Sequence, residues 1–149
     1  EQAQKFYEES LCLWRELSDK LGIVMCLNNL GILASQQENY EQTKKLYEES
    51  LILGREIGDK IGIVQSLIGF SEVLCDGNHL SRSVILLGAV ETALKSIGLI
   101  LQTKMLKFHK QIVNVLHEKL SNEQFEKYFE EGKKLTLDQA VEQALSNDQ

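Results

Sequence analysis

Few residues of this chain have types and spacing that could support catalysis or metal binding. His109 and His117 lie eight residues apart on one predicted helix, with Glu118 beside the second. Eight residues rotate about 80° around a helix, and no third ligand follows at a useful spacing. Surface or packing histidines are therefore favoured over a metal site. No phosphate-binding loop, zinc-protease, serine-hydrolase or EF-hand motif occurs in the sequence.

Two pairs of adjacent carboxylates, Glu8-Glu9 and Glu48-Glu49, resemble the paired acids of some active sites. Both pairs fall on predicted helices, where neighbouring residues do not face each other. A solvated helix face is the favoured interpretation. We accordingly expect no catalytic residue, no metal site and no cofactor, and a protein that is not an enzyme.

Composition and charge narrow the class of protein further. The 149 residues carry a formal net charge of −6, which argues against direct nucleic-acid binding or an anionic-membrane surface. No apolar run is long enough to span a bilayer. Cys12, Cys26 and Cys75 lie in apolar stretches without metal-binding spacing, so we expect buried free thiols and a cytoplasmic protein. The chain opens without Met inside a repeat, which suggests a fragment of a longer protein.

An internal repeat organises the chain. Residues 41–67 repeat residues 1–27 at an offset of 40, with 17 of 27 positions identical, whereas residues 28–40 and 68–80 share none. A weaker third copy places Leu86, Ile97 and Gly98 40 residues after Leu46, Ile57 and Gly58. Repeats of this kind stack helix pairs that cannot bury their apolar faces alone. We interpret the repeated stretch as packing scaffold and the divergent stretches as the better place to bind a partner.

Periodicity and caps predict the helices. Glu1–Leu17 is amphipathic, Ile23–Gln37 is apolar on more than one side, and Ser81–Ile97 is followed by one long helix to Leu120. Capping boxes at Ser121/Gln124 and Thr136/Gln139 begin two short closing helices. The predicted fold is all-α, an antiparallel helix-pair solenoid with a period of about 40 residues and C-terminal capping helices. We expect repeats over residues 1–98 and a helical cap over residues 99–149.

The spacing of several residues resembles the tetratricopeptide repeat consensus: Leu27, Leu30, Gly31, Ala34, Asn39, Tyr40, Tyr47 and Ser50. The resemblance sets the phase, with units at residues 22–57 and 62–97 and an unpaired helix B at residues 1–17. The sequence departs from the consensus in its 40-residue period, in Thr43 and in Arg55. Tyr7 and Tyr47 are expected to pack between helices, while the role of Trp14 is left open.

Longer phrases, including LYEESLILGREIGDKIGIVQSL, LLGAVETALKSIG and FEKYFEEGKKLTLDQAVEQAL, are similar to the C-terminal region of bacterial STAND-type signalling ATPases and LuxR- or SARP-like transcriptional regulators. That resemblance implies a sensing or scaffolding arm of a larger signalling protein, with catalysis elsewhere. Its partner would be a protein, a peptide or neighbouring domains of the parent chain.

The resemblance to tetratricopeptide repeats also implies a concave groove for such a partner, lined by the first helix of each unit. Its candidate residues are Met25, Asn28, Asn29, Ile32, Gln36, Gln65, Ile68, Gly69, Glu72 and Asp76. Asn29 matches a family asparagine that bonds a bound peptide backbone, since an amide offers both donor and acceptor. The alternative is that Asn28 and Asn29 only satisfy helix contacts. The family's carboxylate-clamp Lys and Arg residues are missing, so acidic C-terminal tails are not expected to bind.

A second hypothesis makes the repeats a structural oligomerisation module. An open N-terminal helix bearing Phe6, Leu13 and Trp14 would then drive formation of a homodimer.

Overall fold

The computed structural model describes residues 1–146, and these form eight α-helices with no strand among them. The helices are α1 (Gln2–Glu16), α2 (Lys20–Gln36), α3 (Tyr40–Ile57), α4 (Lys60–Asp76), α5 (Leu80–Ile97), α6 (Thr103–Lys119), α7 (Asn122–Lys133) and α8 (Leu137–Leu145). The prediction of an all-α fold of successive helix pairs is confirmed. Within the described residues, none of the helices has both the length and the apolar character needed to cross a bilayer.

A left-handed residue ends each of the first five helical segments, and these residues recur every 20 positions. They are Ser18, Glu38, Gly58, Asn78 and Gly98, with φ between 55° and 68°. An N-cap follows the first three: Asp19, Asn39 and Asp59 each accept a hydrogen bond from a backbone N–H three residues on. Each helix with its turn therefore occupies 20 residues, and two of them make the 40-residue repeat.

The closing helices begin where the sequence predicts. Ser121 and Thr136 accept hydrogen bonds from the backbone N–H groups of Gln124 and Gln139, whose side chains bond back to the N-caps. Both capping boxes are thus confirmed.

The prediction of three buried thiols holds for two cysteines only. Cys26 and Cys75 are buried, and burial raises the pKa of both thiols. Lys119 opposes the shift at Cys75, but burial is the larger influence. A thiol with a raised pKa holds little thiolate at neutral pH, so the two buried cysteines are poor nucleophiles. The expectation for Cys12 was wrong, because its side chain is exposed on α1.

The chain divides into two compact units, Glu1–Gly69 and Phe70–Gln149, and α4 contributes to both. The predicted division into residues 1–98 and 99–149 stays a prediction, and residues 147–149 of its second part lie outside the described residues. The first unit contains α1, α2, α3 and the first half of α4. The second contains the rest of α4 and the helices that follow.

Tyr47 is the centre of packing in the first unit. Its side chain is almost fully buried, and its ring lies against Gly31 of α2 and Gly69 of α4, where a Cβ atom would overlap the ring. The absence of side chains at both glycines lets the two helices approach the same aromatic ring. The prediction that Tyr47 packs between helices is confirmed. Tyr7, the equivalent residue of α1, is half-buried against the core that α1 and α2 share.

In the second unit, α5 and α7 cross with their backbones in contact. A Cβ atom on Gly88 of α5 would overlap the carbonyl oxygen of Phe129, and one on Gly132 of α7 would overlap that of Ile85. Both clashes are with backbone atoms, which cannot move aside as a flexible side chain could. The crossing therefore requires glycine at both positions.

We expect Gly132→Ala to lower the free energy of unfolding by about 1–3 kcal/mol, because the added methyl group would push α7 away from α5. Urea unfolding followed by circular dichroism measures the change. Glu131→Ala is the matched control, since its side chain is exposed on the same turn. Equal stability of the two variants would contradict the proposed close crossing.

His109 of α6 is half-buried, and its burial lowers the pKa of the imidazole below the ordinary value of 6.5, while Glu91 of α5 opposes the shift. The folded chain therefore holds this proton less tightly than the unfolded chain does. Protonation of His109 favours unfolding, so its contribution to stability is present at neutral pH and is lost as the pH falls below about 6.5.

We predict that the stability of the chain decreases between pH 7 and pH 5 and that His109→Gln reduces this decrease, because the glutamine does not titrate. Urea midpoints at several pH values give the comparison. His79→Gln serves as the control because His79 is exposed. An unaltered pH profile in the His109 variant would refute the assignment.

Candidate functional site

Asn28, a predicted groove residue, lies in the interior of the first unit. Its Nδ2 donates to the backbone oxygen of Gly62 at 3.2 Å, and its Oδ1 lies 2.7 Å from the hydroxyl of Ser66 and 3.1 Å from that of Ser50. The two hydroxyl groups are 2.8 Å apart. Asn28, Ser50 and Ser66, here called the polar triad, thus join α2, α3 and α4. For Asn28 the structure shows the alternative interpretation, in which the side chain satisfies contacts between helices.

Three further predicted groove residues are also interior. Ile68 has no exposed surface, Ile32 is buried, and Gly69 faces the ring of Tyr47. Residues on these parts of α2 and α4 fill the space between helices. The placement of Asn28, Ile32, Ile68 and Gly69 on an open groove is therefore corrected, because a buried residue has no surface to offer a partner.

The remaining first-unit candidates are accessible, and we refer to them as the groove stripe. Met25 is 58% exposed, Gln36 is exposed, and Asn29 and Gln65 are half-buried. Asn29 Nδ2 donates to the carbonyl oxygen of Met25 at 2.9 Å within its own helix, and the amide oxygen remains an acceptor.

Sequence reasoning missed two apolar members of the same stripe. Leu21 precedes Met25 by one helical turn, and Ile61 precedes Gln65 in the same way; their side chains are 52% and 46% exposed. The signal was available, since Leu21 and Ile61 are equivalent residues of the 40-residue repeat and each directly precedes a glycine.

The two halves of the stripe border one helix contact. A Cβ atom on Gly62 of α4 would lie 2.6 Å from Val24 Cγ1 of α2, and the bond from Asn28 to Gly62 lies one turn further along α2. We call the surface made by Leu21, Met25, Asn29, Ile61 and Gln65 the α2–α4 groove. Its chemistry is apolar side chains beside amides, which suits a peptide backbone and uncharged side chains.

Glu72 and Asp76 lie in the last turns of α4, within the second unit. Glu72 is half-buried, whereas Asp76 is exposed as a residue. The carboxyl group of Asp76 is nevertheless partly desolvated, which raises its pKa, and Lys119 of α6 opposes the shift. The predicted role of both acids in binding a partner stays a prediction.

The three residues predicted to drive self-association do not share one environment. Phe6 and Leu13 of α1 are 64% and 59% exposed. Trp14 instead packs against the core of the first unit, with its indole over Gly22 at the start of α2. Trp14 is therefore a packing residue, which answers the question that the sequence left open.

The residues considered for catalysis are dispersed. Glu8 and Glu9 are exposed, and His117 stacks on Phe125 with ring centroids 3.9 Å apart. Over residues 1–146, no three His, Cys, Asp or Glu side chains come together as a metal site would require.

Comparison with known families identifies a match. The family model "Tetratricopeptide repeat" matches residues 1–56, which comprise α1, α2 and nearly all of α3. Comparison with curated proteins found no match, and neither did comparison with solved structures. The first unit is thus similar to tetratricopeptide repeats, which generally mediate protein–protein interaction and are typically non-catalytic scaffolds.

We expect Asn28→Ala to lower the free energy of unfolding by about 1–3 kcal/mol, because it leaves the carbonyl of Gly62 and the hydroxyl groups of the polar triad without their amide partner. Asn29→Ala removes only a bond within one helix, and we expect a change within about 0.5 kcal/mol. Thermal and urea unfolding of both variants test this difference. Similar losses from the two neighbours would argue against the triad.

Proposed function

We propose that the chain is a non-catalytic interaction module whose α2–α4 groove binds a peptide segment of a partner or of a neighbouring domain. The observation that carries the proposal is the exposure of Leu21, Met25 and Ile61 on two helices that meet at Gly62. The amides of Asn29 and Gln65 follow on the same two helices and are half-buried. Proteins rarely leave several large apolar side chains exposed together without an interaction that covers them. The match to tetratricopeptide repeats supports this assignment.

The groove chemistry defines the segment that would fit. An extended or turn-forming peptide could place apolar side chains against Leu21, Met25 and Ile61 while its backbone bonds the two amides. Lys20 directly precedes Leu21 in the sequence, but it already pairs with Glu56. Recognition would therefore depend on apolar contacts and backbone hydrogen bonds rather than on an acidic tail.

We further propose that the module belongs to a larger bacterial signalling protein and works in the cytoplasm. The support is the similarity of its sequence phrases to the C-terminal regions of STAND-type ATPases and of LuxR- and SARP-like regulators. In such a protein, occupation of the groove would be transmitted to a switch domain. The alternative, a structural oligomerisation module acting through Phe6 and Leu13, stays a prediction.

A displayed peptide library selected against the chain tests the groove. We expect the double variant Met25→Glu, Ile61→Glu to bind the selected peptides about tenfold or more weakly, since the new charges would face apolar side chains of the peptide. Calorimetric titration measures the affinities.

Ile52→Glu is the matched control, because Ile52 of α3 is 52% exposed and lies outside the groove. Selected peptides that bind both variants as tightly as the original chain would reject the α2–α4 groove as the binding site.

A further inference from the structure

A cavity of about 600 Å³ lies in the second unit. Its wall includes His79, Ser81 and Arg82 at the start of α5, Leu120 after α6, Tyr128 of α7 and Gln143 of α8. Ligand pockets commonly have volumes of about 300–1,000 Å³, so this cavity has the size that a small organic molecule requires. The residues of the α2–α4 groove all belong to the first unit, so the cavity is a separate feature.

The charged side chains of the cavity wall are basic. The chain contains 22 Asp and Glu residues, but none of the described residues that line the cavity is acidic. The wall instead contains the guanidinium group of Arg82 and the imidazole of His79. Lys127 adds a third basic group next to the wall, with its Nζ 5.7 Å from the centre of the Tyr128 ring. A wall of this composition favours an anionic ligand over a cationic one.

Arg82 is held in place by the end of α8. Its Nη2 donates to the backbone oxygen of Gln143 at 2.9 Å and to that of Ser146 at 3.0 Å. Both acceptors are neutral carbonyl groups, so these bonds orient the guanidinium without compensating its charge. A guanidinium has five N–H groups, and Nε and Nη1 carry the three that these bonds do not use. A carboxylate or a phosphate can bind such a group through two oxygens.

The start of α5 adds hydrogen-bond donors on the same side of the cavity as Arg82. The imidazole of His79 carries an N–H and Ser81 carries an O–H, and both residues line the cavity. The side chain of His79 makes no hydrogen bond to the first turn of α5, although it occupies the N-cap position. The anionic end of a ligand is therefore best placed at the start of α5, beside Arg82.

The cavity wall also has an apolar part. Leu80, Leu120 and the ring of Tyr128 contribute to it. A hydrated inorganic anion would leave these side chains without a contact. An apolar or aromatic body attached to the anion would cover them, and aromatic rings such as that of Tyr128 pack well against a second ring.

We propose that this cavity binds a small organic anion. Arg82 bonds the carboxylate or phosphate of that ligand, and Leu120 and Tyr128 contact its apolar or aromatic body. Three observations support this class of ligand: the volume of the cavity, the lack of acids among its described lining residues, and the guanidinium that α8 holds in place. The proposal does not depend on the peptide-binding function proposed for the α2–α4 groove.

The test is a titration of the ¹⁵N-labelled full chain followed by NMR, with phenyl phosphate and benzoate as probes. We expect saturable shifts of the backbone amides at residues 78–82, 128 and 143 with at least one of the two aromatic anions. Phenol has the ring without the charge, and inorganic phosphate has the charge without the ring. Each should bind about tenfold or more weakly than the better aromatic anion.

Arg82→Gln should weaken binding of the better probe about tenfold, because the charge and the two-oxygen contact are lost. Lys95→Gln is the matched control, since it removes the same charge from an exposed position on the same helix. It should leave the affinity unchanged.

Ser81→Asp separates recognition from folding. A carboxylate in the first turn of α5 favours the helix, but it would repel an anion in the cavity. We expect an unchanged or higher melting temperature together with a loss of binding of about tenfold or more. Ser81→Asn has a side chain of the same size without the charge, so it should bind the probe more tightly than Ser81→Asp does.

Five results would overturn the proposal. The first two are an absence of saturable binding of both aromatic anions and shifts that fall outside the cavity. The next two are an affinity for phenol or for inorganic phosphate equal to that for the better aromatic anion, and an equal loss of affinity in Lys95→Gln and Arg82→Gln. The fifth is unaltered binding by Ser81→Asp.

Discussion

The first unit depends on one aromatic ring held between two glycines. Tyr47 of α3 lies in the interior with its ring against the bare backbone of Gly31 and of Gly69, where a Cβ atom would overlap the ring. That approach brings α2 and α4 against the same helix, α3, so that Asn28 reaches the carbonyl of Gly62. A methyl group at either glycine would separate the helices and remove the amide from its partners. The position of the groove stripe therefore follows from contacts made on its buried side.

The polar triad gives that packing a defined register. A repeat with near-identical apolar seams could pair one helix with the wrong copy at little cost, because similar side chains would still meet. Asn28 and Ser50 are buried polar residues, whereas their counterparts 40 residues later are Ile68 and Val90. A misplaced helix would leave buried polar groups without hydrogen bonds, which is costly. The triad thus distinguishes two copies that the rest of the sequence makes alike.

Helices and their ends could be predicted from the sequence because they depend on local chemistry. The capping boxes at Ser121 and Thr136 act over three residues, and both occur in the structure. Which residues line the groove was harder to predict, because neighbouring residues lie about 100° apart on a helix. Asn28 is interior and Asn29 half-exposed for this reason. The isoleucine at the position equivalent to Asn28 was the overlooked sign of an interior site. The contact of α5 with α7 depends on distant glycines and left no local signal.

The left-handed residues at positions 18, 38, 58, 78 and 98 have a consequence for how such a chain can change. Each marks a boundary between segments of equal length, and a crossover there would exchange whole helices without altering the phase of any other. Loss of a single residue inside a segment would rotate everything after it by about 100° and turn buried side chains outward. Recombination at these five positions is therefore compatible with the architecture in a way that small insertions or deletions within helices are not. Ser18, Glu38 and Asn78 show that the boundary is kept even where glycine is not.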